Sequence, residues 1–83
     1  MSLAPSFKFA VTIMPREVIL DTQGRAIEDS LKHQGVLVNS CRVGKHIVID
    51  VPGDLETAKN KVYKIAREML HNPLLEDFIV EAL

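Results

Sequence analysis

An α+β domain of order β-α-β-β-α-β is the fold that these 83 residues predict, and three observations carry that reading. Apolar and polar residues alternate with period two near both ends and in the middle, as half-buried strands require. Two other stretches space apolar residues three and four apart, and each follows an aspartate suited to cap a helix. Glycine and proline stand where one pattern gives way to the next.

The first strand covers residues 7–14, where Phe7, Phe9, Val11 and Ile13 alternate with Lys8, Ala10, Thr12 and Met14. Pro15 has no N–H to continue a ladder and ends it. A loop follows to Leu20, and Asp21 is placed to cap a helix whose narrow apolar stripe is Ile27 and Leu31 beside Ala26 and Ser30. Gly35 suits the left-handed position just past that helix. Val36-Leu37-Val38 opens a second strand and Lys45–Val51 forms a third. Gly44 between them is read as a hairpin glycine free to take positive φ.

Pro52-Gly53 closes the third strand, and Asp54 starts the clearest helix, with Leu55, Ala58, Val62, Ile65, Ala66 and Met69 on one face. Asp54 and Glu56 complement the dipole at its start. Asn72-Pro73 stops it, because a residue before proline is pushed out of the helical region. The last strand is Asp77–Ala82, with Phe78, Val80 and Ala82 on one side. The predicted architecture is ferredoxin-like: a four-stranded antiparallel sheet with both helices on one face. The chain reads as one domain, residues 1–83, with residues 1–6 expected to be a disordered or tag-derived N-terminus.

If the alternating Phe, Val and Ile residues face the helices, the opposite sheet face carries Lys8, Ala10, Thr12, Met14, Val48, Asp50, Ile79 and Glu81. Half of those are apolar, which points to a partner surface rather than a freely solvated one.

Composition excludes several functions. A chain this short buries only about 60% of its unfolded surface. It has no room for a deep substrate pocket of several hundred Å³ without a partner. The net charge is −1, and neither half is basic enough to resemble a nucleic-acid footprint. All three phenylalanines fall on the presumed core face and Tyr63 on a helix, which leaves no aromatic platform for RNA bases. No apolar run approaches the roughly 20 residues of a membrane span, and no signal peptide is read. The lone Cys41 excludes an internal disulfide and fits a reducing, cytoplasmic compartment.

Catalytic signals are sparse. His33, His46 and His71 lack metal-ligand spacing, and Cys41 has no activating base beside it in sequence. Gly24, Gly35, Gly44 and Gly53 are too far apart for a phosphate loop. Lys59, Lys61, Lys64 and Arg67 form a basic stretch best read as a solvated helix face. Two loops stand out. Val18-Ile19-Leu20 is an apolar triplet outside any regular element. It either tucks under the first helix as a staple or is held by another chain. Arg42-Val43-Gly44-Lys45 sets two cations around the expected hairpin tip.

At those loops a family becomes visible. Val18-Ile19-Leu20-Asp21-Thr22-Gln23-Gly24-Arg25-Ala26-Ile27 resembles the "LDPQG" segment of the PurS subunit family of phosphoribosylformylglycinamidine (FGAM) synthase. Cys41-Arg42-Val43-Gly44-Lys45-His46-Ile47 resembles its "VRVGK" hairpin, and Leu70-His71-Asn72-Pro73-Leu74-Leu75-Glu76-Asp77-Phe78 its "LANPVIEDY" ending. The likeness runs from Phe7 to Leu83 with the segments in order. Thr22 departs from the family's proline, and both suit a first helical position.

The resemblance implies a non-catalytic subunit of a glutamine- and ATP-dependent C–N ligase in de novo purine biosynthesis. In that family a PurQ glutaminase releases ammonia, and a large ATP-dependent PurL subunit uses it to make FGAM. PurS makes no bonds, forms a homodimer, bridges the other two and helps confine ammonia. It binds no cofactor or metal of its own, whereas the complex uses ATP, Mg and glutamine. The contact residues expected on this basis are Leu20, Asp21, Gln23, Gly24, Arg42, Gly44 and Lys45, with Asn72 and Pro73 shaping the last turn. Gln23 and Arg42 stand out among them because neither has an evident duty within the fold. The alternatives are a stand-alone small-ligand-binding regulatory domain of the same shape and an acylphosphatase-type hydrolase using Arg16, although the Gly-rich cradle of the latter is missing.

Overall fold

A computed structural model describes residues 5–83. Strand β1 (Ser6–Pro15) is followed by helix α1 (Thr22–His33), strand β2 (Lys45–Pro52), helix α2 (Leu55–Ile65) and strand β3 (Glu76–Ala82). A π-helical turn, Ala66–Leu70, extends α2. β1 is central, antiparallel to both neighbours in the order β2-β1-β3. Val11 lies opposite Ile47 on one side and Val80 on the other, so the alternation read in the sequence places one apolar row across the sheet.

That row meets α2. Phe9, Val11, Ile13 and Val51 pack with Ala58, Val62 and Ala66, all buried. The helical residues recur every fourth position, and alanine at two of them brings the helix backbone close to the sheet. Each fully buried Phe, Val or Ile contributes about 1.5–3 kcal/mol, so this layer holds the fold.

The π-turn changes the expected stripe. An α-helical period after Ala66 would carry Met69 inward, but the wider i→i+5 turn delays the inward position by one residue. Leu70 therefore packs against the core while Met69 is 76% exposed. The His71 ring closes the turn: its Nδ1 donates to the Ala66 carbonyl at 2.7 Å, and the ring packs edge-on against Phe78 at 4.7 Å. The widened turn and this contact set the end of the helix ahead of Asn72-Pro73.

Several expectations are corrected. Among the described residues the sheet has three strands, not four: Val36-Leu37-Val38 joins no strand among them. No hairpin forms at Gly44, whose φ is not positive. Gly44 is needed for close approach instead, since a Cβ there would lie 2.3 Å from the Ile13 carbonyl oxygen. The helices do not share a sheet face either. α1 has no packed interface with the sheet or α2 among the described residues, and its sole buried residue is Gly24.

α1 is nonetheless well formed. It ends in a Schellman closure: Gly35, at φ 78°, donates to the Lys32 carbonyl and Val36 to that of Leu31, as the left-handed glycine predicts. The arm it forms gives the chain a radius of gyration of 16.9 Å and a longest extent of 54 Å, against roughly 12 Å for a compact chain of this length.

At the N-terminus, part of the segment expected to be disordered belongs to the sheet. Ser6 pairs with Pro52, and the Pro5 carbonyl accepts from Gly53 N–H. The rest of that expectation, residues 1–4, lies outside the described residues.

Candidate functional site

The three sequence segments singled out above meet where α1 leaves the sheet and where the chain returns to it. Asp21 is the centre of this junction. Its Oδ1 accepts the Gly24 N–H at 2.9 Å, the N-cap bond the sequence predicts, and its Oδ2 accepts the Val43 N–H at 2.7 Å. One carboxylate thus ties the outgoing helix to the incoming segment. The Gly24 and Val43 N–H bonds, helped by the nearby Arg42 charge, hold this carboxyl below its ordinary value of 3.8 despite partial desolvation. Hydrogen bonds to the ionised form have that effect.

Gly24 permits the approach. A Cβ there would lie 2.2 Å from the Cys41 carbonyl oxygen, so the helix and the returning chain touch backbone to backbone. One turn further on, Glu28 Oε1 accepts the Cys41 N–H at 2.7 Å.

Arg42 does have a duty within the fold, contrary to the sequence reading. Its guanidinium donates to the carbonyls of Pro15 and Arg16, both at 2.8 Å, closing the end of β1. Arg16 in turn donates to the Pro73 carbonyl at 2.7 Å and pairs with Asp77 at 3.5 Å. Asn72 Oδ1 accepts the Leu74 N–H, and its carbonyl accepts from Leu75 and Glu76, so Asn72-Pro73 forms a self-bonded turn held by Arg16. That commitment also removes Arg16 from any open phosphate cradle.

What remains unbonded is informative. Val18 is 89% and Leu20 71% exposed, so the triplet does not form a staple; Arg25, at the position a staple would need, is not apolar. The side chains of Gln23, Arg25 and Lys45 make no hydrogen bond or ion pair among the described residues. Leu20 and Asp21 stand between two open concavities of about 360 and 330 Å³. Arg25 and Glu28 line the first, Gln23, Gly44 and Lys45 the second.

Sequence reasoning missed Glu28 and the structural role of Arg16. Glu28 bonds a backbone group 13 positions away and Arg16 one 57 positions away, separations that leave no local pattern. Chemically the junction is a braced platform: carboxylates accept backbone N–H groups and guanidiniums meet backbone carbonyls. Thr12 Oγ1 and His46 Nδ1 make an exposed contact at 3.4 Å on the sheet, but at the junction no nucleophile is paired with a base among the described residues, and among them no group of three or more His, Cys, Asp or Glu is placed to hold a metal. No helix among them is long and apolar enough to cross a membrane.

Residues 8–83 match the family PurS, phosphoribosylformylglycinamidine (FGAM) synthase. The FGAM synthase subunit PurS of Thermotoga maritima is 36% identical over 81 residues, 95% of this chain and 99% of that protein. The crystal structure of the Thermotoga maritima purS subunit superposes with a TM-score of 0.91 at 34% identity, covering 99% of this chain and 97% of that one. A chain of the Thermotoga maritima PurLQS structure does so with a TM-score of 0.88 at 36% identity, covering 95% and 99%.

Proposed function

The chain belongs to the PurS family of FGAM synthase, and from that membership we propose that it works as an assembly subunit, joining PurL and PurQ partners without making or breaking bonds itself. It is a subunit of a ligase complex of purine biosynthesis. The observation that carries the assembly role is the state of the junction: Asp21, Glu28 and Arg42 are bonded to the chain's own backbone, while Val18 and Leu20 are left exposed. Polar groups that brace a loop are not available for catalysis, and apolar groups held outward invite a second protein. ATP, magnesium and glutamine are handled by the other subunits in this reading, ammonia passes between them with this subunit's help, and the complex is cytoplasmic.

The working unit is a homodimer. α1 is amphipathic, yet Ile27 remains 43% exposed, and Val36, Leu37 and Val38 after it are 45%, 91% and 42% exposed. β2 and β3 are both free edges of the sheet. A second copy supplies what each lacks: a cover for the α1 stripe and a neighbour for Val36–Val38, which becomes the fourth strand in the assembled pair.

The test is reconstitution. The chain is mixed with its PurL and PurQ partners, ATP, magnesium, glutamine and formylglycinamide ribonucleotide, and product is followed with and without it. Glutamine-dependent turnover that is the same in both mixtures sinks the reading. A mass of one chain by light scattering at micromolar concentration removes the dimer.

A further inference from the structure

Two neighbouring residues, Met69 and Leu70, compete to end the buried stripe of α2. In a regular helix Met69, seven residues past Val62, comes back to within about 20° of it, whereas Leu70, eight past, stands about 80° away. Unbroken α-helix therefore turns Met69 toward the sheet and leaves Leu70 at the edge of the stripe. The π-turn Ala66–Leu70 reverses this: Leu70 packs against the core and Met69 is 76% exposed. Leucine and methionine are close in volume, and exchanges between them are among the best tolerated in a core. Hydrophobic burial thus chooses only weakly between the two registers.

His71 makes the choice. In a regular helix the Ala66 carbonyl accepts the Leu70 N–H; here it accepts from His71 Nδ1 at 2.7 Å. The same half-buried ring rests edge-on against Phe78 of β3 at 4.7 Å, and Phe78 in turn meets Tyr63 of α2 at 6.4 Å. One side chain therefore bonds the first carbonyl of the widened turn and anchors it to the sheet. Closing the turn to the α register winds the chain beyond it forward by one residue, about 100° and 1.5 Å, which takes the ring off both contacts.

The shift reaches further along the chain. The Pro73 carbonyl accepts from the Arg16 guanidinium at 2.7 Å, and the Leu75 carbonyl accepts the Arg16 N–H at 2.9 Å. Hydrogen bonds of that length do not survive a displacement of that size. Arg16 is held to the last turn only while the π register is kept.

We propose that Ala66–Leu70 is a one-residue register switch latched by His71. The π register buries Leu70, offers Met69 at the surface and keeps the last turn on Arg16. The α register buries Met69 and frees Arg16. The element is bistable because either apolar residue completes the same core, and His71 is the positioning residue that biases it. The switch belongs to the single chain and stands whether or not that chain joins other subunits.

The experiment uses the full chain labelled with ¹³C-methyl methionine and a soluble paramagnetic agent, which reads the exposure of the Met69 methyl. Amide hydrogen exchange reads Arg16. His71→Phe keeps a ring for Phe78 and loses the donor. It is expected to protect the Met69 methyl severalfold and to speed exchange at the Arg16 amide, with the Phe9–Ile13 amides unchanged. His71→Asn keeps a donor near the position of Nδ1 and is expected to leave Met69 exposed. Leu70→Gln makes the π register unfavourable and is expected to draw Met69 inward while the chain stays folded. A Met69 methyl that remains as accessible in Leu70→Gln as in wild type overturns the switch, and one that does so in His71→Phe alone overturns the latch. Loss of the cooperative urea transition in Leu70→Gln also overturns the switch, because Met69 then fails to take the place of Leu70. If His71→Phe does not fold, Leu70→Gln decides.

Discussion

Helices α2 and α1 start in the same way: Asp54 accepts the Thr57 N–H at 2.8 Å, and Asp21 accepts the Gly24 N–H at 2.9 Å. Both place basic residues in the last turn and apolar residues along one face. Yet α2 buries Ala58 and Val62 against the sheet, whereas α1 buries only Gly24, at the junction. The difference lies in where the partner surface is found. α2 meets its sheet within the chain, so its packing belongs to the monomer. α1 is amphipathic with no element packed opposite it among the described residues, so its stripe is left for the proposed dimer to cover. A helical stripe says that a helix must be covered; it does not say by which chain.

That contrast is broken most severely in the core. Phe9→Ala removes the largest fully buried side chain and is expected to cost about 3–5 kcal/mol. A domain this small has little more than that in hand. Loss of the cooperative transition in urea checks it, and a variant as stable as wild type would mean that the sheet–α2 layer is not what holds the chain.

Gly24→Ala acts at the junction. The new Cβ meets the Cys41 backbone oxygen, so α1 has to move off the returning segment, at about 1–3 kcal/mol of local stability. Faster hydrogen exchange at the Cys41 and Val43 amides, with β1 amides unchanged, is the expected signature. Uniform acceleration would show that arm and core unfold as one.

Ile27→Asp tests the arm alone. Monomer stability in dilute solution is expected to change by less than about 0.5 kcal/mol. Dimer dissociation is expected to rise by about tenfold or more, read by analytical ultracentrifugation. A large loss of monomer stability would mean that α1 is packed within its own chain after all.

Acid gives the smallest effect and separates the two caps. Asp54 is held below 3.8 chiefly by the Thr57 N–H and hydroxyl, and Asp21 chiefly by the Gly24 and Val43 N–H groups. A carboxylate with a depressed folded value stabilises fully above its unfolded value, and that stabilisation disappears as pH falls through the folded one. Both contributions are therefore constant from neutral pH down to about 4 and decline below it. Asp54→Asn is expected to flatten the acid limb of monomer stability, and Asp21→Asn that of dimer dissociation. Identical effects on both measurements would erase the distinction between the regions.

Much of the local structure was legible in the residues. The alternation of Phe9, Val11 and Ile13, the two aspartate caps, Gly35 past α1 and the Ala58–Val62–Ala66 row all act over spacings of two to four residues. The bracing at the candidate site was not legible, because its partners are far apart in sequence: Arg42 with Pro15, Asp21 with Val43, Arg16 with Pro73. Arg42 looked free for a partner because its acceptors, the carbonyls of Pro15 and Arg16, lie 27 and 26 positions away. Gly44 looked like a turn glycine because its real constraint is the Ile13 backbone across the junction. Leu20 stood out in the sequence because neither neighbouring pattern had a place for it, and of the two readings left open there, the structure removes the staple and leaves the side chain exposed.

By itself, then, the sequence determined the two helices, three of the four strands it predicted, the caps that start each helix, and the family that the three ordered segments identify. Those properties follow from backbone sterics, capping bonds and short-range periodicity, which need no knowledge of distant residues. Only the tertiary structure decided that Val36–Val38 finds no partner at home, that the π-turn trades Met69 for Leu70, and that α1 projects as an arm. The reason is physical: a local pattern specifies that a surface must be buried, whereas chain length, closure and backbone contact decide what is within reach to bury it.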